Sequence, residues 1–280
     1  MMDRVGLGWR PELAAGILSN LERIDVLEVI GDDYFDSSAR AQAVRTLAAQ
    51  RPVVLHGVGL GPASTVRVEE KRLAKMARLV EKVRPEGWSE HLAFVRAGDI
   101  EIGHLAAPPR TQATIDGTAA NLDRARAVVG TLPLVENIAT LIDPPASDLD
   151  EPEWISATLE ASGAPLLLDL HNLYANSVNF GARPGESLER LPLDRVHQVH
   201  ISGGRWIGDT EAQRRLLDDH LHDPPDPVYD LLAELARMCP NPLTVILERD
   251  GSYPPMEHLL AQLDRARRAM ARGRADKAAA

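Results

Sequence analysis

Eight short apolar runs punctuate the chain, and each is followed by a helix-like stretch or a long loop. The runs are VGLGW from Val5, VLEVI from Val26, PVVLHGV from Pro52, GWSEHLAFV from Gly87, PLVENIA from Pro133, PLLLDLHN from Pro165, VHQVHIS from Val196 and LTVILERD from Leu243. They are rich in Val, Leu and Ile and nearly unbroken, as parallel strands covered on both faces are. The clearest helical stretches are 39–50, 69–82, 118–129, 152–161, 227–237 and 255–272. Leu73, Met76, Leu79, Val80 and Val83 recur at helical spacing with charges between them. Strand-helix alternation implies parallel βαβ units. Eight such units in 280 residues predict an α/β fold closed into a (β/α)8 TIM barrel, not an open sheet. A single domain over 1–272 is expected. The basic, Ala-rich segment 273–280 reads as a disordered tail. The Pro-rich stretches LIDPPASDLDEPEW and HDPPDPV read as long loops of the barrel.

Composition narrows the partners. A net charge of −10 disfavours nonspecific binding to nucleic acid or anionic membranes. The one cysteine, Cys239, excludes an intrachain disulfide and fits a reducing compartment. It stands in MCPNP and reads as structural. The first residues lack a signal peptide's apolar core, and no apolar run is long enough to span a bilayer. A cytoplasmic protein is expected, with no membrane or nucleic-acid partner.

The polar residues of the strands carry the chemistry. His56 ends the third run, and His91 lies late in the fourth. Glu136 and Asn137 lie in the fifth, and Asp169, His171 and Asn172 end the sixth. His200 is in the seventh, and Glu248 ends the eighth. A barrel gathers strand C-termini on one rim, where the active sites of this fold are built. Asp169 and His171, two apart, are expected to share one face of their strand. DDHLHD adds Asp218 and His220 in the loop after the seventh strand. Buried carboxylates and imidazoles are costly unless paired or bound to metal. The ligand set is therefore His56, His91, Glu136, Asp169, His171, His200, Asp218, His220 and Glu248. One octahedral ion takes about six ligands, so this set implies more than one ion. Imidazole and carboxylate without thiolate favour Fe, Mn or Zn. Asn137 and Asn172 are assigned to the catalytic site as amides that orient ligands. His104 and His197 are placed near the rim, as substrate contacts or structure. His222 and Asp223 read as solvated loop residues, and His258 as surface. GVGLGPAS lacks a Walker lysine, and HISGG lacks a nucleophile elbow. The residues alone leave several readings open: a redox enzyme, a metal-dependent sugar isomerase, an endonuclease-IV-like phosphodiesterase, or a non-enzymatic metal- or peptide-binding scaffold.

Taken in order, GVGLGWRPEL, LHGVGLGPAS, WSEHLAF, VENIAT, LLLDLHNLYANSVNFG, VHQVHISGG and DDHLHDPPDPVYDLL resemble the multinuclear non-heme iron-dependent oxidase family. That family includes the oxidases of methanobactin and 3-thiaglutamate biosynthesis. The likeness runs from about Val5 to about Tyr253. It implies a xylose-isomerase-like TIM barrel that holds two or three iron ions and uses O2 as co-substrate. The substrate would be a side chain of a ribosomally made precursor peptide, Cys first and Asp or Asn next. A small partner protein would recruit that peptide. The family's metal-binding positions match His56, His91, Glu136, Asp169, His200, Asp218, His220 and Glu248. Relatives often carry Asn where His171 stands, and HLAGH where this chain has HISGG, so Gly204 replaces a histidine.

Overall fold

Leu166, Leu167 and Leu168 are fully buried, so their strand has no solvent face to alternate toward. The computed structural model describes residues 2–98, 100–210 and 213–279. Its strands are β1 (Arg4–Gly8), β2 (Leu27–Ile30), β3 (Val53–Gly57), β4 (Trp88–His91), β5 (Phe94–Ala97), β6 (Ile100–Ala106), β7 (Leu134–Glu136), β8 (Leu166–Asp169), β9 (Val196–Ile201), β10 (Gly204–Ile207), β11 (Arg215–Asp218) and β12 (Thr244–Leu247). Its helices are α1 (Ala14–Leu18), α2 (Ser38–Ala48), α3 (Glu70–Val83), α4 (Gln112–Val129), α5 (Glu151–Ser162), α6 (Leu170–Phe180), α7 (Pro184–Glu189), α8 (Asp226–Met238) and α9 (Met256–Ala279). Strands β1-β12-β9-β8-β7-β4-β3-β2 form a closed barrel in that order. The predicted (β/α)8 barrel is therefore the fold. Among the described residues, no helix is long and apolar enough to cross a membrane.

The chain divides into two compact units. One comprises Met1–Leu27, Ala139–Asp143 and Leu167–Ala280, the other Glu28–Ile138 and Pro144–Leu166. In the second unit, α3 buries Leu73, Met76, Leu79 and Val83, the stripe its periodicity marks out. The capping boxes Thr111/Thr114 and Asp150/Glu153 start α4 and α5. Thr111 explains why α4 begins at Gln112, ahead of the expected 118. In the first unit, α9 buries Leu259, Leu260, Leu263, Ala266 and Met270. Each fully buried leucine contributes about 1.5–3 kcal/mol relative to exposure.

Several expectations need correction. The run PLLLDLHN is not strand to its end. β8 stops at Asp169, whose side chain caps α6 by accepting from the Asn172 backbone N–H at 2.7 Å. His171 and Asn172 therefore sit in the first helical turn, and the shared strand face of Asp169 and His171 does not exist. GWSEHLAFV also splits. β4 ends at His91, and β5 pairs antiparallel with β6 as a separate ribbon. Asp218 is not in a loop; it ends β11, which pairs antiparallel with β10. His104 lies exposed on β6, and His197 lies exposed on β9, on the opposite strand face from His200. In place of the expected end near 272, α9 runs to Ala279, and Ala280 lies outside the described residues. Arg274 anchors the helix by donating to Asp3 and to the carbonyls of Ala236, Cys239 and Asn241.

Candidate metal centre

In the second unit, strand register builds a three-residue cluster. His56 pairs across β3–β4 with Ser89, and His91 pairs across β4–β7 with Glu136. His56, His91 and Glu136 are all buried. Both Nε2 atoms lie 3.4 Å from Glu136 Oε2. The two rings meet edge to face, centroids 4.6 Å apart. The His56 tautomer follows from its neighbour. Ser89 Oγ donates to Leu55 O at 3.4 Å and lies 2.7 Å from His56 Nδ1. Nδ1 therefore carries the proton, and the Nε2 lone pair faces the carboxylate. Two imidazole edges and one carboxylate oxygen converge where a cation would satisfy all three.

The first unit holds a larger constellation. Asp169, His200 and Glu248 are buried, and each offers a donor atom within 4.8 Å of the others. His200 Nδ1 is 3.0 Å from Glu248 Oε2, and its Nε2 is 3.2 Å from Gln198 Nε2. Beside them, Asp218 lies between two imidazoles. His171 Nδ1 is 2.8 Å from Asp218 Oδ1, and His220 Nε2 is 2.8 Å from Asp218 Oδ2. Burial alone would raise the Asp218 carboxyl, but His220 and His171 carry it well below the usual range. Burial alone would lower His220, but the carboxylates of Glu248 and Asp218 raise it well above the ordinary imidazole value. Gly204 permits this packing. A Cβ there would stand 2.7 Å from His171 Cε1 and 2.0 Å from Leu217 O. The imidazole of His171 thus occupies space that a side chain at 204 would need.

The sequence-derived candidates fall into these groups. His56, His91 and Glu136 meet in one unit; Asp169, His171, His200, Asp218, His220 and Glu248 lie in the other. Asn137 and Asn172 are buried, Asn137 just past β7 and Asn172 in the first turn of α6. His222 is exposed and bonds Asp219, and His258 is an exposed residue on α9. Asp223 is not merely solvated. It accepts from Arg249, His258 and Gln262, tying its loop to α9. Residue-by-residue reasoning passed over Ser89, Glu90, Gln198 and Asp250 as site residues. Asp250 stands two residues past Glu248 in ERD, a spacing that could have marked it. Glu90 is buried and accepts from the Leu60 and His91 backbone N–H groups.

The donor set fits a metal. His171 Nε2 and His220 Nε2 are buried without an aligned hydrogen-bond partner. Buried imidazole nitrogens of that kind suit a cation.

The comparisons agree with the motifs. Residues 4–271 match the model of the RiPP precursor modification enzyme MbnB/TglH/ChrH. A UPF0276 protein of Streptomyces avermitilis is 35% identical over 272 residues, 95% of this chain. The chain spans 54% of that relative's length. A UPF0276 protein of Bordetella bronchiseptica is 31% identical, covering 96% of this chain and 93% of the relative. Among solved structures, L-ribulose 3-epimerase superposes with a TM-score of 0.62 at 15% identity, covering 98% of this chain and 97% of that one. A xylose isomerase domain protein from Alicyclobacillus acidocaldarius gives a TM-score of 0.59 at 17% identity, over 96% and 99% of the two chains. These structural likenesses establish the xylose-isomerase-like barrel and nothing about substrate. The family match spans nearly the whole chain, and on it the chain belongs to the MbnB/TglH/ChrH family of RiPP precursor modification enzymes.

Proposed function

We propose that the protein is an O2-dependent, multinuclear iron oxidase that modifies a side chain of a ribosomally made precursor peptide. Family membership supports the peptide as substrate. The observation that carries the metal reading is the pair of buried clusters, His56–His91–Glu136 and Asp169–His200–Glu248 with Asp218 and His220 beside them. In this reading all these residues are ligands, three of them in one unit and five in the other. Four carboxylates among them offset roughly two divalent cations. When bound, iron supplies the one-electron and O2 chemistry that no side chain here supplies.

The chain's own residues do the rest. Ser89 holds His56 in the tautomer that presents Nε2. Asp169 accepts from the Asn172 N–H through Oδ1, which fixes its carboxylate as α6 begins. Asn137 and Asn172, buried beside the ligands, orient them and the bound peptide side chain. His171 holds Asp218 through Nδ1, and Ser202 donates to the same oxygen at 3.2 Å. Burial of the ligands keeps bulk water from the reacting side chain. A Cys thiolate is the proposed target, with Asp or Asn next, and a small partner protein delivers the peptide.

The test is aerobic incubation of Fe(II)-loaded protein with the short peptide encoded beside its gene, read by mass spectrometry. A mass shift that requires both iron and O2 is expected. No shift with any neighbouring precursor, or a shift in the metal-free protein, would refute the reading.

A further inference from the structure

The geometry points to Arg10 and Asp250 as positioning residues for His220: the arginine fixes the carboxylate, and the carboxylate fixes which imidazole nitrogen faces the metal. This rests on the metal reading above. Arg10 is buried just past the end of β1. Its Nε donates to Asp250 Oδ1 at 2.9 Å, and its Nη2 reaches the same oxygen. Nη1 donates to Trp9 O at 2.9 Å, so the guanidinium is held from two directions. With Oδ1 engaged, Asp250 Oδ2 lies 3.0 Å from His220 Nδ1.

An ionised carboxylate only accepts, so Nδ1 carries the proton. In a neutral ring the lone pair then sits on Nε2, 2.8 Å from Asp218 Oδ2. Nε2 is buried there without an aligned hydrogen bond. A lone pair and a carboxylate oxygen at that separation repel unless a proton or a cation stands with them. Glu248 Oε2 also faces Nδ1, but at 3.8 Å it is outside bonding range. Among the described residues, Asp250 is the partner within bonding range of Nδ1, and it fixes which ring nitrogen carries the proton.

The backbone supports the same arrangement. His220 adopts a left-handed φ of 53°. For a non-glycine residue that conformation costs about 1–3 kcal/mol and persists only where the surroundings enforce it. The His220 N–H donates to Gly203 O at 3.0 Å, and the Asp250 N–H donates to His220 O at 3.0 Å. Asp250 thus grips His220 at ring and backbone together. Neither Arg10 nor Asp250 needs to touch metal or substrate; both act through His220.

The experiment measures anaerobic Fe(II) content and affinity, by chelator competition, for wild type, Asp250→Asn, Asp250→Ala and Arg10→Met. Metal-free unfolding temperatures serve as the folding control. The affinity for one ion should fall by about 10–100-fold in both Asp250 variants, the range typical of partners that orient a metal-bound histidine. The remaining ions should be retained. Arg10→Met should move the same ion by less. Because the Asp250 side chain is 39% exposed, formate can reach the gap in Asp250→Ala and should restore the lost affinity. A purely structural role would give no rescue. Wild-type affinity for every ion in Asp250→Asn, or an uncorrected loss in Asp250→Ala with formate, would overturn the assignment. Absence of Fe(II) binding by wild type would instead overturn the metal reading itself.

Discussion

Single side chains decide how this site can work. Ser89 is the plainest case, because it sets the tautomer of a proposed ligand without being one. Ser89→Ala removes the acceptor 2.7 Å from His56 Nδ1 and lets the ring choose either tautomer. Iron affinity at the His56–His91–Glu136 cluster should drop by about 10–100-fold, measured by chelator competition. Unchanged affinity would mean that the tautomer is set elsewhere. The proposed ligands are legible in the sequence because acids and imidazoles are conspicuous inside apolar strands. Their supports were less legible. Ser89 and Gln198 are ordinary strand residues by composition, and only cross-strand register shows that Ser89 stands opposite His56. Asp250 and Arg10 are 240 residues apart in the chain, and no local pattern joins them. His171 stands elsewhere than strand alternation predicts. Strand alternation placed it beside Asp169, whereas a helix start placed it against Asp218.

The elements were read correctly where burial is continuous and incorrectly where the chain turns sharply. Barrel strands announce themselves as unbroken apolar runs. The two ribbons β5–β6 and β10–β11 do not, because their residues are mixed in type and mostly not fully buried. Helix α6 was hidden because its first residues continue the run of β8 without a break. Only the cap by Asp169 marks the change. The end of α9 illustrates a different limit. Local composition suggests fraying, but Arg274 reaches Asp3, near the other end of the chain. Arg274→Ala should cost about 1–3 kcal/mol and remove hydrogen-exchange protection from the last turns of α9. Exchange no faster than wild type would refute the anchor. The same contact carries a pH dependence. Burial alone would raise the Asp3 carboxyl, but Arg274 and the Leu243 N–H hold it below its ordinary 3.8. Its stabilising contribution is therefore complete above that pH and is lost as pH falls through the lowered value. Asp3→Asn should lower stability near neutrality and flatten the acid limb of the unfolding profile. A variant with wild-type acid sensitivity would contradict this.

At the scale of the molecule, a closed parallel barrel supplies what a scattered set of ligands requires. The proposed ligands stand in or just after several different strands, and strand C-termini are where the active sites of this fold are built. Sequence reasoning could reach this because the strand count and the polar strand ends are both one-dimensional features. Sequence and fold alone left redox and non-redox chemistry open, since the same barrel is found in L-ribulose 3-epimerase. Membership of the RiPP precursor modification family narrows that choice. The decisive measurement is metal counting with Mössbauer spectroscopy on protein loaded anaerobically with ⁵⁷Fe(II) and desalted. More than one iron should remain per chain, with the oxidised sample showing magnetic coupling between neighbouring ions. Retention of at most one iron, or of zinc alone, would contradict a multinuclear iron centre at the mouth of this barrel.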